Sequence, residues 1–264
     1  MRDAADRDLL WHGDPAVWAG RAPLLFPIVG MLAGGNYRLG EQQFALARHG
    51  FARGRRFELV EATSASALFR LNADAATLAV YPFAFELDVR FAIAGGELAV
   101  TATVRNAGEV EMPASLGFHP GFRWPLPYGQ PREAHYLEFE TDEPAPARRI
   151  TPEGLLKSES VATPVASRRL ALSDALFADD VIIFDRLHSR ALSYGAASGP
   201  RIGIRFPDAT HLGVWTRPGA QFICIEPWRG VTDPVGFAED FHRKPGVFAV
   251  VPGGAQSLQM LITL

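Results

Sequence analysis

Side chains able to exchange protons occur in this sequence inside apolar, aromatic and glycine-containing segments. Glu226 ends an apolar strand pattern in Cys224-Ile225-Glu226-Pro227-Trp228, while His49 precedes Gly50-Phe51 and His119 lies between aromatic and glycine residues in 117–122. Burying an unpaired carboxylate costs several kcal/mol, so Glu226 needs hydrogen-bonding partners or a cavity that takes a polar ligand. A carboxylate and an imidazole together provide general acid and base catalysis. The alternative is that Glu226 lies at the end of a strand with its carboxylate exposed to water.

Motifs for other chemistries are missing from the sequence. It has no His-Glu-x-x-His spacing, phosphate-binding glycine loop, dinucleotide-binding glycine pattern or Gly-x-Ser-x-Gly elbow. We therefore predict proton transfer without a metal or a cofactor. Four aromatic side chains offer flat faces for the C–H side of a sugar ring, with ordinary core packing as the alternative for each: Phe51, Phe118, Trp215 and Trp228.

Composition and charge favour a soluble globular chain without a nucleic-acid partner. The 264 residues include 48% hydrophobic and 21% charged residues, with a net charge of −3. A single cysteine, Cys224, excludes an intrachain disulfide, and its apolar flanks predict a buried thiol. No apolar run approaches the roughly 20 residues of a membrane helix, and the amino terminus lacks a secretory pattern. We predict a cytoplasmic protein without a membrane partner.

Strand periodicity dominates the chain. Apolar residues alternate from Phe83 to Ile93, Gly95-Gly96 favours a tight turn, and alternation returns from Leu98 to Val104. Many short strands between Gly, Pro and Asp turns predict an all-β antiparallel sandwich or barrel, with residues 1–264 as one domain. Further predictions concern shorter segments. We expect an edge strand or packed loop in 23–30, surface loops in 124–131 and 140–152, and alternating strands in 202–206, 212–214, 247–251 and 258–264.

Five ordered segments resemble the aldose 1-epimerases, or galactose mutarotases, and especially their bacterial LacX-like branch. They are Trp18 with Pro23–Gly30, His49–Arg53, Gly117–Pro120, Leu212–Trp215 and Cys224–Trp228. The resemblance implies a large antiparallel β-supersandwich with a sugar cleft on one concave face. The substrate it implies is a small-molecule sugar.

The resemblance also implies roles for individual residues. Glu226 matches the general base and His119 the general acid, so that an ionised Glu226 takes the anomeric proton while protonated His119 supplies one to the ring oxygen. His49 matches the imidazole that holds the substrate. Arg53 is expected near the cleft. Asp180 matches an acidic residue that holds sugar hydroxyls in some relatives, with a solvated turn as the alternative. With Phe51 and Trp215, these complete the predicted substrate-binding residues.

Three functions follow from this interpretation, with a mutarotase for free hexoses preferred. The second acts on a phosphorylated hexose, with Arg53, Arg55 or Arg56 as the phosphate anchor. The third is a carbohydrate-binding protein without turnover, which the retained acid and base argue against. Met31 stands where relatives commonly carry an arginine, so we expect a less positive cleft and a preference for the unphosphorylated sugar. The hexose and the oligomeric state are left open.

Overall fold

The computed structural model describes all 264 residues and consists almost entirely of short antiparallel strands. The strands are β1 Leu24–Leu25, β2 Asn36–Leu39, β3 Gln42–Ala45, β4 Glu58–Ala62, β5 Ser66–Asn72, β6 Phe85–Ala94, β7 Glu97–Asn106, β8 Met112–Ala114, β9 Leu116–Phe118, β10 Gly121–Arg123, β11 His135–Phe139, β12 Ala147–Ile150, β13 Leu156–Val161, β14 Arg169–Ala171, β15 Ile182–Phe184, β16 Ala191–Ala196, β17 Ile202–Arg205, β18 His211–Trp215, β19 Phe222–Arg229, β20 Phe248–Val250 and β21 Ala255–Thr263.

Helical structure is limited to single turns. The α-helix α1 covers Ala75–Leu78, and the 3-10 helices are Ala33–Gly35, Ala52–Gly54, Arg132–Ala134, Asp174–Phe177 and Phe241–Arg243. None of these helices has the length and apolar character needed to cross a membrane.

Two large sheets form the fold. One has nine strands in the order β14-β11-β16-β17-β21-β7-β6-β5-β4, and the other follows the path β1-β9-β19-β18-β15-β12-β13, with β10 also pairing with β19. Neighbouring strands in both are antiparallel. The all-β antiparallel prediction is confirmed, and β1 is an edge strand as expected for the proline-containing segment 23–30.

The predicted hairpin forms β6 and β7 around Gly95-Gly96. Its inner half behaves as expected, because Phe85, Leu87 and Val89 are buried. Phe91 and Ile93, predicted on the same buried face, are instead 39% and 62% exposed. The prediction identified the face of β6 that is turned toward the core, but the outer end of the hairpin extends beyond the core.

Two further predictions need correction. The stretch 140–152 is not only a loop, because β12 lies within it and pairs with β13 and β15. In the segment 247–251 the pattern predicted Val247, Ala249 and Val251 on the covered face. The buried residue is instead Val250, and Val251 is 59% exposed, because β20 pairs with β8 and turns the other face inward. The sequence alternates there, but only the partner strand fixes which face is covered.

A cluster of 48 buried apolar side chains, from Leu9 to Ile262, forms the main core and takes members from both large sheets. The two large sheets therefore share one core, and a single domain over residues 1–264 stays a prediction. The single cysteine, Cys224, is a free thiol, and it is buried as its apolar flanks predicted.

Candidate active site

A cavity of about 230 Å³ lies beside strands β18 and β19 of the second sheet. Its walls come from parts of the chain scattered between Trp18 and Thr232, which meet only in the folded protein. The lining residues that the argument below uses are Trp18, Arg48, His49, Arg53, His119, Gly154, Asp180, Trp215, Glu226 and Trp228.

Strand pairing brings His119 beside Glu226. Strand β19 pairs with β9 through Trp228 and Gly117, and with β10 through Cys224 and Gly121. His119 lies in the break between β9 and β10, so it faces the part of β19 that carries Glu226. Its backbone N–H donates to the Pro23 carbonyl at 3.1 Å, which fixes the break against the edge of the sheet.

The His119 Nε2 and Glu226 Oε2 atoms are 3.3 Å apart, and the two side chains are only 10% and 2% exposed. The contact is close, but it is not aligned as a hydrogen bond. Glu226 Oε2, His119 Nδ1 and Trp228 Nε1 are all buried without a hydrogen-bond partner. Such orphaned polar atoms are costly, and a ligand rich in hydroxyl groups would satisfy them.

Burial shifts both groups of this pair toward their uncharged forms. It raises the pKa of Glu226 well above its usual value, with a further rise from the charge of Asp180 and a partial offset from the Trp228 indole. Burial, with a smaller contribution from the charge of Arg53, lowers the pKa of His119 to about 3. Both shifts favour a protonated Glu226 and a neutral His119, which together hold one proton. Desolvation therefore opposes the ion pair that we expected from the sequence, and that ion pair stays a prediction.

His49 is fixed by the segment that leads out of β1. Its Nδ1 accepts a hydrogen bond from the Gly30 N–H at 3.1 Å, and its own N–H donates to the Gly30 carbonyl at 2.8 Å. Burial and the charges of His119, Arg53 and Arg48 hold the pKa of His49 well below its usual value. A neutral ring that accepts at Nδ1 carries its proton on Nε2, so His49 is a hydrogen-bond donor.

The backbone of His49 is unusual for a residue with a side chain. Its φ is +66°, in the left-handed region, and Gly50 follows with φ +71°. A Cβ on Gly50 would overlap the Phe26 carbonyl oxygen, so only glycine fits there. Left-handed non-glycine residues cost free energy and concentrate at functional sites. The turn presents the His49 ring 5.6 Å from that of His119, measured between centroids.

Three other predicted residues also line the cavity. Trp215 places its ring edge-on to His119, with the centroids 5.9 Å apart. Asp180 lines the rim with φ +64°, and its Oδ1 accepts the Val181 N–H at 2.7 Å. Arg53 follows the His49 turn and lines the cavity as well.

Phe51 and Phe118 do not line the cavity and belong to the core. The Phe51 ring packs against Phe26 and Phe85, each with a centroid distance of 5.8 Å. We therefore correct the prediction that Phe51 contacts the sugar: it stabilises the turn that carries His49. Trp18 supplies the aromatic face instead, stacked on His119 at 5.0 Å between ring centroids.

Comparison with known proteins identifies the family of this chain. The sequence profile described as aldose 1-epimerase matches residues 1–235. The chain belongs to the aldose 1-epimerase family. A protein called LacX, encoded on a plasmid of Lactococcus lactis subsp. lactis, is 34% identical over 96% of this chain and 88% of its own length.

Two solved structures of similar proteins share this fold. A galactose mutarotase related enzyme from Lactobacillus acidophilus superimposes with a TM-score of 0.89 and 30% identity, covering 99% of this chain and 89% of its own. A galactose mutarotase-like protein from Lactobacillus casei gives a TM-score of 0.90 with 27% identity, covering 98% of this chain and 90% of its own. The predicted galactose mutarotase-like β-supersandwich is thereby confirmed.

Sequence reasoning did not place Arg48 in the site of this aldose 1-epimerase family member. Arg48 lines the cavity, and its guanidinium covers Gly154 together with the side chain of Met31. Arg48 therefore brings a cation to the wall beside Met31. Its position directly before His49 in the sequence could have indicated that Arg48 also lies at the site.

The family site contains one set of potential metal ligands. His119, Cys224 and Glu226 place a ring nitrogen, a sulfur and a carboxylate oxygen within 4.8 Å of one another. Burial and the Glu226 charge raise the pKa of the Cys224 thiol well above its usual value, so the sulfur stays protonated. Metals bind the thiolate, and this environment opposes its formation. We keep the prediction that the protein uses no metal.

Proposed function

We propose that this protein is an aldose 1-epimerase that interconverts the α and β anomers of an unphosphorylated hexose without a cofactor. The observation that carries the proposal is the buried pair of His119 and Glu226, 3.3 Å apart, with unpaired polar atoms at the cavity. We also propose a cytoplasmic location, which suits the single free, buried cysteine Cys224.

The proposed reaction uses the one proton that the pair carries. Moving this proton from Glu226 to His119 produces a carboxylate and an imidazolium. Sugar hydroxyls that donate to the carboxylate favour this charged form, because hydrogen bonds to an ionised group stabilise it. Ligand binding therefore offsets the desolvation that keeps the free pair uncharged.

Ring opening then needs two proton transfers. Glu226 takes the proton of the anomeric hydroxyl and His119 protonates the ring oxygen, so the bond between the anomeric carbon and the ring oxygen breaks as the aldehyde forms. Rotation about the adjacent carbon–carbon bond turns the other aldehyde face toward the ring hydroxyl. Closure reverses both transfers and gives the opposite anomer, with His49 donating a hydrogen bond from Nε2 to the sugar throughout.

The test is polarimetry of freshly dissolved α-glucose and α-galactose with purified protein. We expect equilibration faster than the spontaneous rate for at least one sugar, in proportion to protein concentration, and loss of the effect in His119→Asn. Binding of either sugar without acceleration would favour the non-catalytic carbohydrate-binding alternative.

A phosphorylated hexose is the second candidate, and one observation favours it. Arg48 and Arg53 both line the cavity, and neither has an acidic partner. By contrast, Arg55 pairs with Asp74 at 3.3 Å, and Arg56 does not line the cavity. Of the three arginines considered as phosphate anchors, only Arg53 is therefore in position. Two unpaired guanidinium groups suit an anion, since arginine binds phosphate through paired hydrogen bonds.

The two candidates separate when kcat/KM is compared for glucose and glucose 6-phosphate at low and high salt. We expect the unphosphorylated sugar to be preferred. A preference for the phosphate of more than about tenfold that weakens with salt and disappears in Arg53→Ala would instead establish the second candidate. Arg56→Ala is the matched control, because it removes a neighbouring cation that does not line the cavity.

A further inference from the structure

A buried ion pair lies next to one wall of the cavity without lining it. The Lys244 Nζ and Asp233 Oδ1 atoms are 2.5 Å apart, and the two side chains are 0% and 2% exposed. Lys244 also donates to the Val231 carbonyl at 2.7 Å, and Asp233 Oδ2 accepts the Ala33 N–H at 2.8 Å. The pair therefore joins three parts of the chain.

Stability alone gives no reason to bury these two charges. Removing an ammonium and a carboxylate from water carries a large desolvation cost, and apolar side chains of similar volume are often as stable in such places or more so. A buried pair does, however, hold the segments that it joins in one arrangement, because any other arrangement leaves a charge unpaired. The effect of Lys244 and Asp233 should therefore be sought in what those segments position.

The segment that the pair holds forms part of the cavity wall. Thr232 lies between Val231 and Asp233 in the chain and lines the cavity. Its hydroxyl accepts the Met31 N–H at 2.9 Å and donates to the Gly154 carbonyl at 2.6 Å. The Asp233 N–H donates to the Met31 carbonyl at 2.9 Å. The ion pair thus fixes Thr232, and Thr232 fixes two neighbouring segments.

Thr232 in turn packs on the glycine that holds His49. A Cβ on Gly30 would overlap the Thr232 side chain, so the two residues are in direct contact and only glycine fits. The Gly30 N–H donates to His49 Nδ1, and the Gly30 carbonyl accepts the His49 N–H. A displacement of Thr232 therefore moves Gly30, and the two hydrogen bonds carry that movement to the His49 ring.

We propose that Lys244 and Asp233 are positioning residues, whose buried ion pair sets the place of Thr232 and Gly30 and thereby orients the His49 ring toward the sugar. This inference rests on the proposed function. Neither residue touches the substrate, so the pair acts only through His49.

The test variant is Lys244→Met combined with Asp233→Asn. It removes both charges together, because either charge alone would be left buried without a partner. The asparagine keeps an oxygen that can accept the Ala33 N–H. The matched control is Arg70→Met with Asp88→Asn, which removes an ion pair of similar length, 2.6 Å, from strands that do not line the cavity. Circular dichroism and urea unfolding show whether each variant is folded.

The His49 ring can be followed without any sugar. Long-range proton–nitrogen NMR spectra report which ring nitrogen carries the proton, and the His49→Ala variant assigns the signals. We expect a single Nε2–H form in the wild type and a mixture of forms in the double variant, because the Gly30 hydrogen bond to Nδ1 is no longer held. His135 is the internal control, since its Nε2 accepts the Leu126 N–H at 3.1 Å in another part of the fold.

Sugar binding and turnover give the second measurement. The Kd for glucose and galactose comes from calorimetry on solutions at anomeric equilibrium, and KM and kcat come from anomer exchange. In the double variant we expect Kd and KM to rise about tenfold and kcat to change less than about threefold. A merely structural defect would instead lower the active fraction, and hence kcat, with KM unchanged. In a His49→Ala background the same two substitutions should add less than about twofold, because the ring through which they act is absent.

The outcomes separate this inference from the proposed function. An undisturbed His49 ring or an unchanged Kd in a folded double variant would overturn the inference and leave the mutarotase proposal intact. A full loss of affinity in the His49→Ala background would overturn it too, as would a double variant that does not fold, since the pair would then serve stability. A wild-type protein that binds sugar without accelerating anomer exchange would overturn the catalytic proposal, while the Kd and NMR comparisons would still decide the role of the pair.

Discussion

Glu226→Gln tests the proposed proton transfer most directly, because it changes the chemistry with little change in shape. Glu226 is buried, and its Oε2 accepts no hydrogen bond, so an amide in its place breaks no hydrogen bond at that atom. The amide cannot accept the anomeric proton as a carboxylate does. General base catalysis is worth about 10²- to 10⁴-fold, or about 2.7 to 5.4 kcal/mol of transition-state stabilisation. We expect kcat/KM to fall by at least about 10²-fold.

Glu143→Gln is a matched control on a second buried glutamate. The two carboxylate oxygens of Glu143 accept backbone N–H groups, from Ser189 at 2.6 Å and from His188 at 3.1 Å. An amide must turn one NH₂ group toward a backbone donor, which costs about 1 to 3 kcal/mol of folding free energy. The control should therefore lose stability and keep its activity, the reverse of Glu226→Gln.

The assay combines anomer exchange by NMR, corrected for the spontaneous rate, with urea unfolding of both variants. Exchange measurements report the reaction at equilibrium, so the anomers need not be separated. If Glu226→Gln kept more than a tenth of the wild-type kcat/KM, or lost activity only as far as it lost stability, the assignment of Glu226 as the base would be wrong.

Four further predictions concern the rest of the site. His49→Ala should raise KM more than it lowers kcat, because His49 is expected to hold the sugar; steady-state kinetics showing unchanged kcat/KM for several aldoses would remove it from the site. The pH profile of kcat/KM should fall below about pH 3, where His119 takes up a proton and the pair holds two protons. It should fall again above the raised pKa of Glu226, where the pair has lost its one proton. An alkaline limb that persists in Glu226→Gln would contradict this. Gly50→Ala should lower stability by at least about 1 to 2 kcal/mol in urea unfolding, since alanine is strained at φ +71°, and unchanged stability would mean that the turn can relax. Dialysis against a chelator should leave mutarotation unchanged, whereas a loss restored by zinc would make His119, Cys224 and Glu226 a metal site.

Local pattern in the sequence predicted the fold class, and the family resemblance supplied the roles of the site residues. Alternation identified β6 and β7, because the period of two residues is a property of the strand itself. Glu226 drew attention because burying a charge has a cost, and His49 because it lies in an aromatic, glycine-containing segment. The structure then brought Glu226, His49 and His119 to one cavity.

Only the tertiary structure decided which faces and which neighbours those elements have. Phe91 and Ile93 alternate correctly but extend beyond the core, and Phe51 points into the core while Trp18 stacks on His119. The protonation of the His119–Glu226 pair also depended on the fold, because desolvation arises from everything packed around the two groups. Alternation and turns are encoded within a few residues, whereas burial and the meeting of distant side chains depend on how strands pair across the whole chain.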